Sequence, residues 1–136
     1  MYKATVRWVE QEQFLAQGPS GHAVAIDSDR ERNTAPGPME LLLLGLGACT
    51  ATDVVVILKK KRQKLEGLEI EVNGERAEEA PHVWTRLELV YRLRGDLDDK
   101  AVRDAIELSE NKYCSVAAML KKTAAISFRY EIEKAK

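Results

Sequence analysis

Cysteine and histidine each occur only twice in 136 residues, and this scarcity excludes several classes of protein. Two cysteines cannot build the dense disulfide framework that holds small secreted domains together. Cys49, Cys114, His22 and His82 also stand at none of the spacings, such as C-x2-C or H-x3-H, that mark a zinc site, so no metal centre is expected. An excess of one charge is missing too: 21 Lys plus Arg face 22 Asp plus Glu, for a formal charge of -1. A near-neutral chain is not a nucleic-acid trap, and no nucleic-acid partner is expected. The basic run 59–64 falls at a helix end, where cations complement the dipole. Uninterrupted apolar runs are short. The longest stretch, Met39 to Leu58, contains Glu40, Asp53, Gly45 and Gly47, so it reads as a buried helix of a soluble protein with no membrane partner. The opening residues, Met1 to Val9, alternate in polarity and lack the apolar core of a signal peptide. The expectation is a cytoplasmic protein starting at Met1.

The chain is nevertheless 45% hydrophobic, enough to build a core and too much for disorder. Its length fits one domain over residues 1–136. Tyr2 to Val9, Gln13 to Ala16 and His22 to Asp27 read as an opening meander, with a turn at Gly18-Pro19-Ser20-Gly21. Pro38 is a good first helical residue and Glu40 sits where it favours the dipole, so a long helix is expected from there to about Lys64. Leu68 to Arg76 and His82 to Leu93 alternate as an antiparallel pair. Asp98 or Asp99 caps a helix to Leu108, Asn111 or Ser109 caps a second over Lys112 to Lys121, and Ala125 to Ile132 closes as a strand. With no repeat or linker, this order indicates an α+β domain.

The two cysteines are the main candidates for chemistry. Cys49 lies mid-helix, with Gly45 one turn before it and Asp53 one turn after on the same face. Burial and a nearby carboxylate both disfavour a thiolate, and nothing in the local sequence supplies a compensating donor. Cys114, if Asn111 is the cap, falls in a first helical turn where free backbone N–H groups lower a thiol pKa. Each thiol can also be read as a small buried hydrophobe, and a bond between them as a transient catalytic or sensing disulfide. Neither histidine forms a convincing dyad with a cysteine. Trp8 and Trp84 occupy strand patterns and read as core or interface packing.

The stretch Ala35-Pro-Gly-Pro-Met-Glu-Leu-Leu-Leu-Leu-Gly-Leu-Gly-Ala-Cys-Thr50, with Lys112-Tyr-Cys-Ser-Val-Ala117 about 65 residues later, resembles the OsmC/Ohr family of bacterial proteins. The resemblance covers the whole chain in its order of elements. It implies antiparallel sheets packed around a long central helix, in an intertwined homodimer with two active sites at the subunit interface. Family members studied as enzymes reduce organic hydroperoxides. A first cysteine becomes a sulfenic acid, which a second condenses to a disulfide; here those roles fall on Cys49 and Cys114. The resemblance further implies an external dithiol reductant and no bound cofactor.

Two departures from the hydroperoxide-resistance branch stand out. Its activating Arg aligns with Gly18 to Gly21, where none exists, and its Glu aligns with Met39, one place before Glu40. A one-residue shift turns a helical side chain by about 100°. Glu40 therefore has two readings, catalytic and helix-start, and Arg30 and Arg32 are candidate replacements for the missing cation. The resulting expectation is a thiol-dependent peroxidase acting on a small-molecule hydroperoxide, favouring alkyl or lipid hydroperoxides because of an apolar pocket along Leu41 to Leu46. The rival is a non-catalytic dimer of the same fold that binds a small apolar ligand or senses oxidation. A third reading is a structural dimer with inert cysteines.

Overall fold

Alternation at the N-terminus produces three short strands, β1 (Thr5–Glu10), β2 (Gln13–Gln17) and β3 (Ala23–Asp27), which pair antiparallel in that order. They belong to the first of two compact units in a computed structural model describing residues 1–135; this unit runs from Met1 to Leu42, and the second begins at Leu43. Within the first unit the polar loop after β3 is organised by Asp27. Its carboxylate accepts from the backbone N–H of Asp29 at 2.9 Å and of Thr34 at 3.2 Å, and from the Thr34 hydroxyl at 2.5 Å. These bonds hold the Asp27 carboxyl below its ordinary range. Trp8, expected in core or interface packing, is outside the core of this chain at 69% exposed, its indole N–H donating to the Gln11 carbonyl.

The long helix α1 (Pro38–Lys60) starts at the expected proline and has Lys59 and Lys60 in its last turn. It stops short of Lys64, which opens the next strand. Its 23 residues are long and apolar enough to cross a membrane by length and composition alone. Burial shows a different use. Leu46, Thr50, Val54 and Leu58, each one turn apart, form one buried stripe, while Leu44, Ala48, Thr52 and Val56 on the opposite side are exposed. The helix expected to be buried is thus buried along a single face in this chain.

In the second unit β4 (Lys64–Arg76) pairs antiparallel with β5 (Trp84–Asp96), and β6 (Ala125–Glu133) joins β5 in parallel. The parallel pairing departs from the antiparallel sheets expected. It is possible because β5 and β6 are joined by two helices rather than a hairpin. At the end of β5, Gly95 has φ +143°, and any Cβ there would strike the Lys64 carbonyl beside the bulge between Leu65 and Gly67. Asp98 caps α2 (Asp99–Leu108), accepting from Ala101 N–H at 3.0 Å. Leu87, Leu89, Tyr91 and Leu93 from β5 meet the α1 stripe and Val102, Ala105 and Ile106 from α2 in one core.

The segment after α2 differs from expectation. Ser109–Tyr113 is a single π-helical turn, and α3 spans only Ser115–Leu120. Ser109 and Asn111, expected as alternative caps, lie inside the π turn, and Cys114 itself is the cap of α3.

Candidate functional site

The π turn and the α3 cap place Cys114 against α1. Ligand atoms of Cys49, Asp53 and Cys114 all lie within 4.8 Å of one another. Cys49 is half-buried and Cys114 is 2% exposed. The two cysteines, 65 positions apart in sequence, are therefore neighbours, as a disulfide-forming pair requires; both are free thiols here. The Cys114 thiol, distant in sequence, is the sulfur partner that the fold brings to Cys49.

Cys114 is a capping residue whose Sγ accepts the Ala117 backbone N–H at 3.3 Å. That bond favours the thiolate, as expected for a helix start, but burial outweighs it. Burial, followed by the neighbouring Cys49 and Asp53, pushes the thiol up to about 12. Cys114 is thus held protonated, whereas the sequence suggested the opposite. The start of the short α3 gives the sulfur one N–H, from Ala117, and the loss of water around a 2% exposed sulfur costs more than one bond returns.

Asp53 faces the sulfurs from one turn beyond Cys49, as helical spacing requires, and one of its oxygens accepts the Ser109 hydroxyl at 2.8 Å. Behind it is a buried polar row. Thr50 Oγ1 lies 2.9 Å from Ser109 Oγ and 2.7 Å from Tyr91 Oη, and Tyr91 donates to Glu110 Oε1 at 2.7 Å. Glu110 is 6% exposed and its backbone carbonyl accepts from the Lys121 ammonium. The Tyr91 hydroxyl is held protonated by burial and by Glu110. Of these residues the sequence marked Asp53 as a liability for the thiolate and Ser109 as a candidate helix cap, neither as part of a polar row. Asp53 was visible as a polar interruption of an apolar helix; the places of Thr50, Tyr91, Ser109 and Glu110 beside it required the tertiary fold.

Glu40 sits at the third position of α1 in the first unit. Its Oε1 accepts the Gly37 backbone N–H at 2.7 Å and pairs with Arg30 at 3.2 Å, half of a capping box. Arg30 also donates to the carbonyls of Asp27 and Ala35. Arg32 donates to Gln11 at 2.7 Å and pairs with Glu10 at 3.2 Å. Both candidate arginines are thus engaged within the loop and meander. His22 bonds to Ser20, and His82 to the Ala77 carbonyl. Among the described residues, Cys49, Asp53 and Cys114 are the group able to converge on an ion, one ligand short of a closed tetrahedral zinc site.

Residues 31–129 match the family model described as OsmC-like protein. Protein YhfA of Escherichia coli strain K12 is 44% identical over 131 residues, covering 96% of this chain and 97% of its own. The crystal structure of an OsmC-like protein from Mycoplasma pneumoniae shares the fold at TM-score 0.86 and 16% identity, over 98% of this chain and 97% of that one. That of an organic hydroperoxide resistance protein from Legionella pneumophila shares it at TM-score 0.72 and 12% identity, over 96% of each chain.

Proposed function

Since the chain belongs to the OsmC-like protein family, we propose that it is a thiol-dependent peroxidase that reduces organic hydroperoxides with Cys49 and Cys114. The observation carrying this reading is the convergence of the two sulfurs with Asp53, their ligand atoms within 4.8 Å. The roles follow from exposure. Cys49, half-buried, is the sulfur a substrate reaches; Cys114, buried and held protonated, is the one that waits.

The Cys49 thiolate attacks the terminal peroxide oxygen, the O–O bond breaks, the alkoxide leaves and takes a proton from solvent to become the alcohol, and a sulfenic acid remains. Cys114 then displaces water from that sulfenic acid to form a disulfide. An external dithiol restores the pair by attacking the Cys49 sulfur, the more accessible of the two. Leu43 and Leu46 of α1, which share a core cluster with Cys49, favour alkyl over hydrogen peroxide. A cytoplasmic location fits a cycle that must return to two free thiols.

The uncovered α1 stripe supports a homodimer. Leu44, Ala48, Thr52 and Val56 are apolar or small, and a Cβ added at Gly45 would meet nothing within 4 Å, so a second helix could approach closely. A second reading has its own observation: the charged group facing the sulfurs is the Asp53 carboxylate, which opposes a thiolate. Under that reading the dimer binds a small apolar ligand or senses oxidation without turning over.

Anaerobic consumption of cumene hydroperoxide and hydrogen peroxide, with a dithiol reductant, separates the two. The peroxidase reading predicts preferential loss of the organic peroxide, no turnover in Cys49→Ser, and a stalled, over-oxidising single turnover in Cys114→Ser. Wild-type rates equal to the buffer blank would favour the second reading.

A further inference from the structure

The oxygens behind the sulfurs form one continuous row with a countable number of protons. From Asp53 Oδ2 the contacts run to Ser109 Oγ at 2.8 Å, Thr50 Oγ1 at 2.9 Å, Tyr91 Oη at 2.7 Å and Glu110 Oε1 at 2.7 Å. Thr50 also lies 3.5 Å from the same Glu110 oxygen. Each of the four short contacts needs one proton between its oxygens, but with carboxylates at both ends only the three hydroxyls supply one. Ser109 donates to Asp53 and Tyr91 to Glu110, so Thr50 can serve only one of its two hydroxyl neighbours.

One added proton completes the row. Placed on Asp53, it lets Asp53 donate to Ser109, Ser109 to Thr50, Thr50 to Tyr91 and Tyr91 to Glu110. Thr50, Tyr91 and Ser109 are fully buried and Glu110 is 6% exposed, so bulk water does not compete for these bonds. The same proton on Glu110 completes the row in the opposite sense, so the row takes one proton at either end; the Asp53 end is the one that faces the two thiols.

We propose that Asp53 takes the Cys114 thiol proton during disulfide formation, and that the Ser109–Thr50–Tyr91 hydroxyls, ending on Glu110, stabilise Asp53 while it holds that proton. Asp53 is the proton-transfer group; Ser109, Thr50, Tyr91 and Glu110 are positioning residues. The proposal rests on the peroxidase reading only for the identity of the oxidant. In that cycle Cys114–SH gives its proton to the Asp53 carboxylate, and the thiolate attacks the sulfenic sulfur of Cys49. The S–S bond forms as the S–O bond breaks, and the departing hydroxide takes the proton back from Asp53 as water. The Cys114 sulfur is oxidised and the sulfenic sulfur reduced. A base is needed because burial, with Cys49 and Asp53 beside it, keeps the Cys114 thiol protonated at neutral pH.

The test uses 4,4′-dithiodipyridine in anaerobic stopped flow, an oxidant independent of any peroxide chemistry. Cys49 reacts first and releases one thiopyridone; Cys114 then attacks the mixed disulfide, releasing the second as the Cys49–Cys114 bond forms. Asp53→Asn should leave the first phase equal or faster, since a carboxylate beside Cys49 is removed, and slow the second at least tenfold. Tyr91→Phe and Glu110→Gln should slow the second phase at least threefold and lower its solvent deuterium isotope effect, with the first phase unmoved. Should Asp53→Asn lose its far-ultraviolet circular dichroism signal, Ser109→Ala carries the same expectation at smaller size. A second phase unchanged in folded Asp53→Asn, or both phases slowed together, overturns the proposal. A wild-type protein inert to cumene hydroperoxide but two-phased with dithiodipyridine would defeat the peroxidase reading and leave this one standing.

Discussion

At the scale of the residue, Cys114 shows how one environment sets a chemical role. Its N–H partner is the one a helix start provides, but a sulfur stripped of water beside a second thiol and a carboxylate keeps its proton. Folding therefore raises the thiol from its ordinary value of 9.0 to about 12. A raised thiol stabilises the fold in full below its unfolded value and loses that contribution as pH climbs through the folded one. Between about pH 9 and 12 the melting temperature of wild type should fall more steeply than that of Cys114→Ser, as scanning calorimetry across that range would show. Tyr91, also raised, is present in both proteins; its main cause, burial, is shared, while the part Cys114 supplies disappears with the cysteine and acts in the same direction. Tyr91→Phe removes the donor to Glu110 and a partner of Thr50, both buried, and should cost about 1–3 kcal/mol in urea unfolding. The sequence named both cysteines from their motif context. It read Asp53 only as a hindrance, because helical spacing shows that a carboxylate faces a thiol but not which hydroxyls stand behind it.

At the scale of the element, α1 is read from both of its sides. Pro38 at its first turn, Glu40 bonded back to Gly37 and Lys59–Lys60 at its end follow from capping and dipole rules, and these were legible in the chain. Its two stripes were not. Apolar residues surround the helix, so no periodicity distinguishes the face that meets β5 and α2 from the face left uncovered. Ala48→Arg on the uncovered stripe should convert a dimer to monomer in sedimentation velocity, while an unchanged species would remove α1 from the interface. The π turn at Ser109–Tyr113 was equally hidden, because Ser109 and Asn111 both have cap chemistry and local pattern cannot choose between them. What decided was the tertiary demand that Ser109 and Glu110 face Thr50 and Tyr91. Gly95→Ala, with a Cβ directed at the Lys64 carbonyl, should destabilise the β4–β5 pair by at least about 1 kcal/mol in the same unfolding assay.

At the scale of the whole molecule, the α+β class and the order of elements were legible because long alternating strands and a long capped helix carry strong patterns. The parallel entry of β6 was not, and the meeting of two cysteines 65 positions apart was legible only through the family resemblance, since spacing does not show how α2, the π turn and α3 lead the chain back. Much apolar surface is left uncovered in one chain, including Val6, Trp8 and Leu15 on the meander and Leu44 and Val56 on α1. A protein that hides this surface in a dimer should show a melting temperature that rises with protein concentration, and a concentration-independent value would count against an obligate pair. The peroxidase account, however, rests on the two sulfurs. The most direct measurement is one equivalent of cumene hydroperoxide added anaerobically to the fully reduced chain, followed by mass spectrometry of its non-reduced peptides. The account predicts loss of two hydrogens and a single Cys49–Cys114 crosslink within one chain, formed as the peroxide becomes an alcohol. Both thiols recovered free beside unreacted peroxide would contradict it.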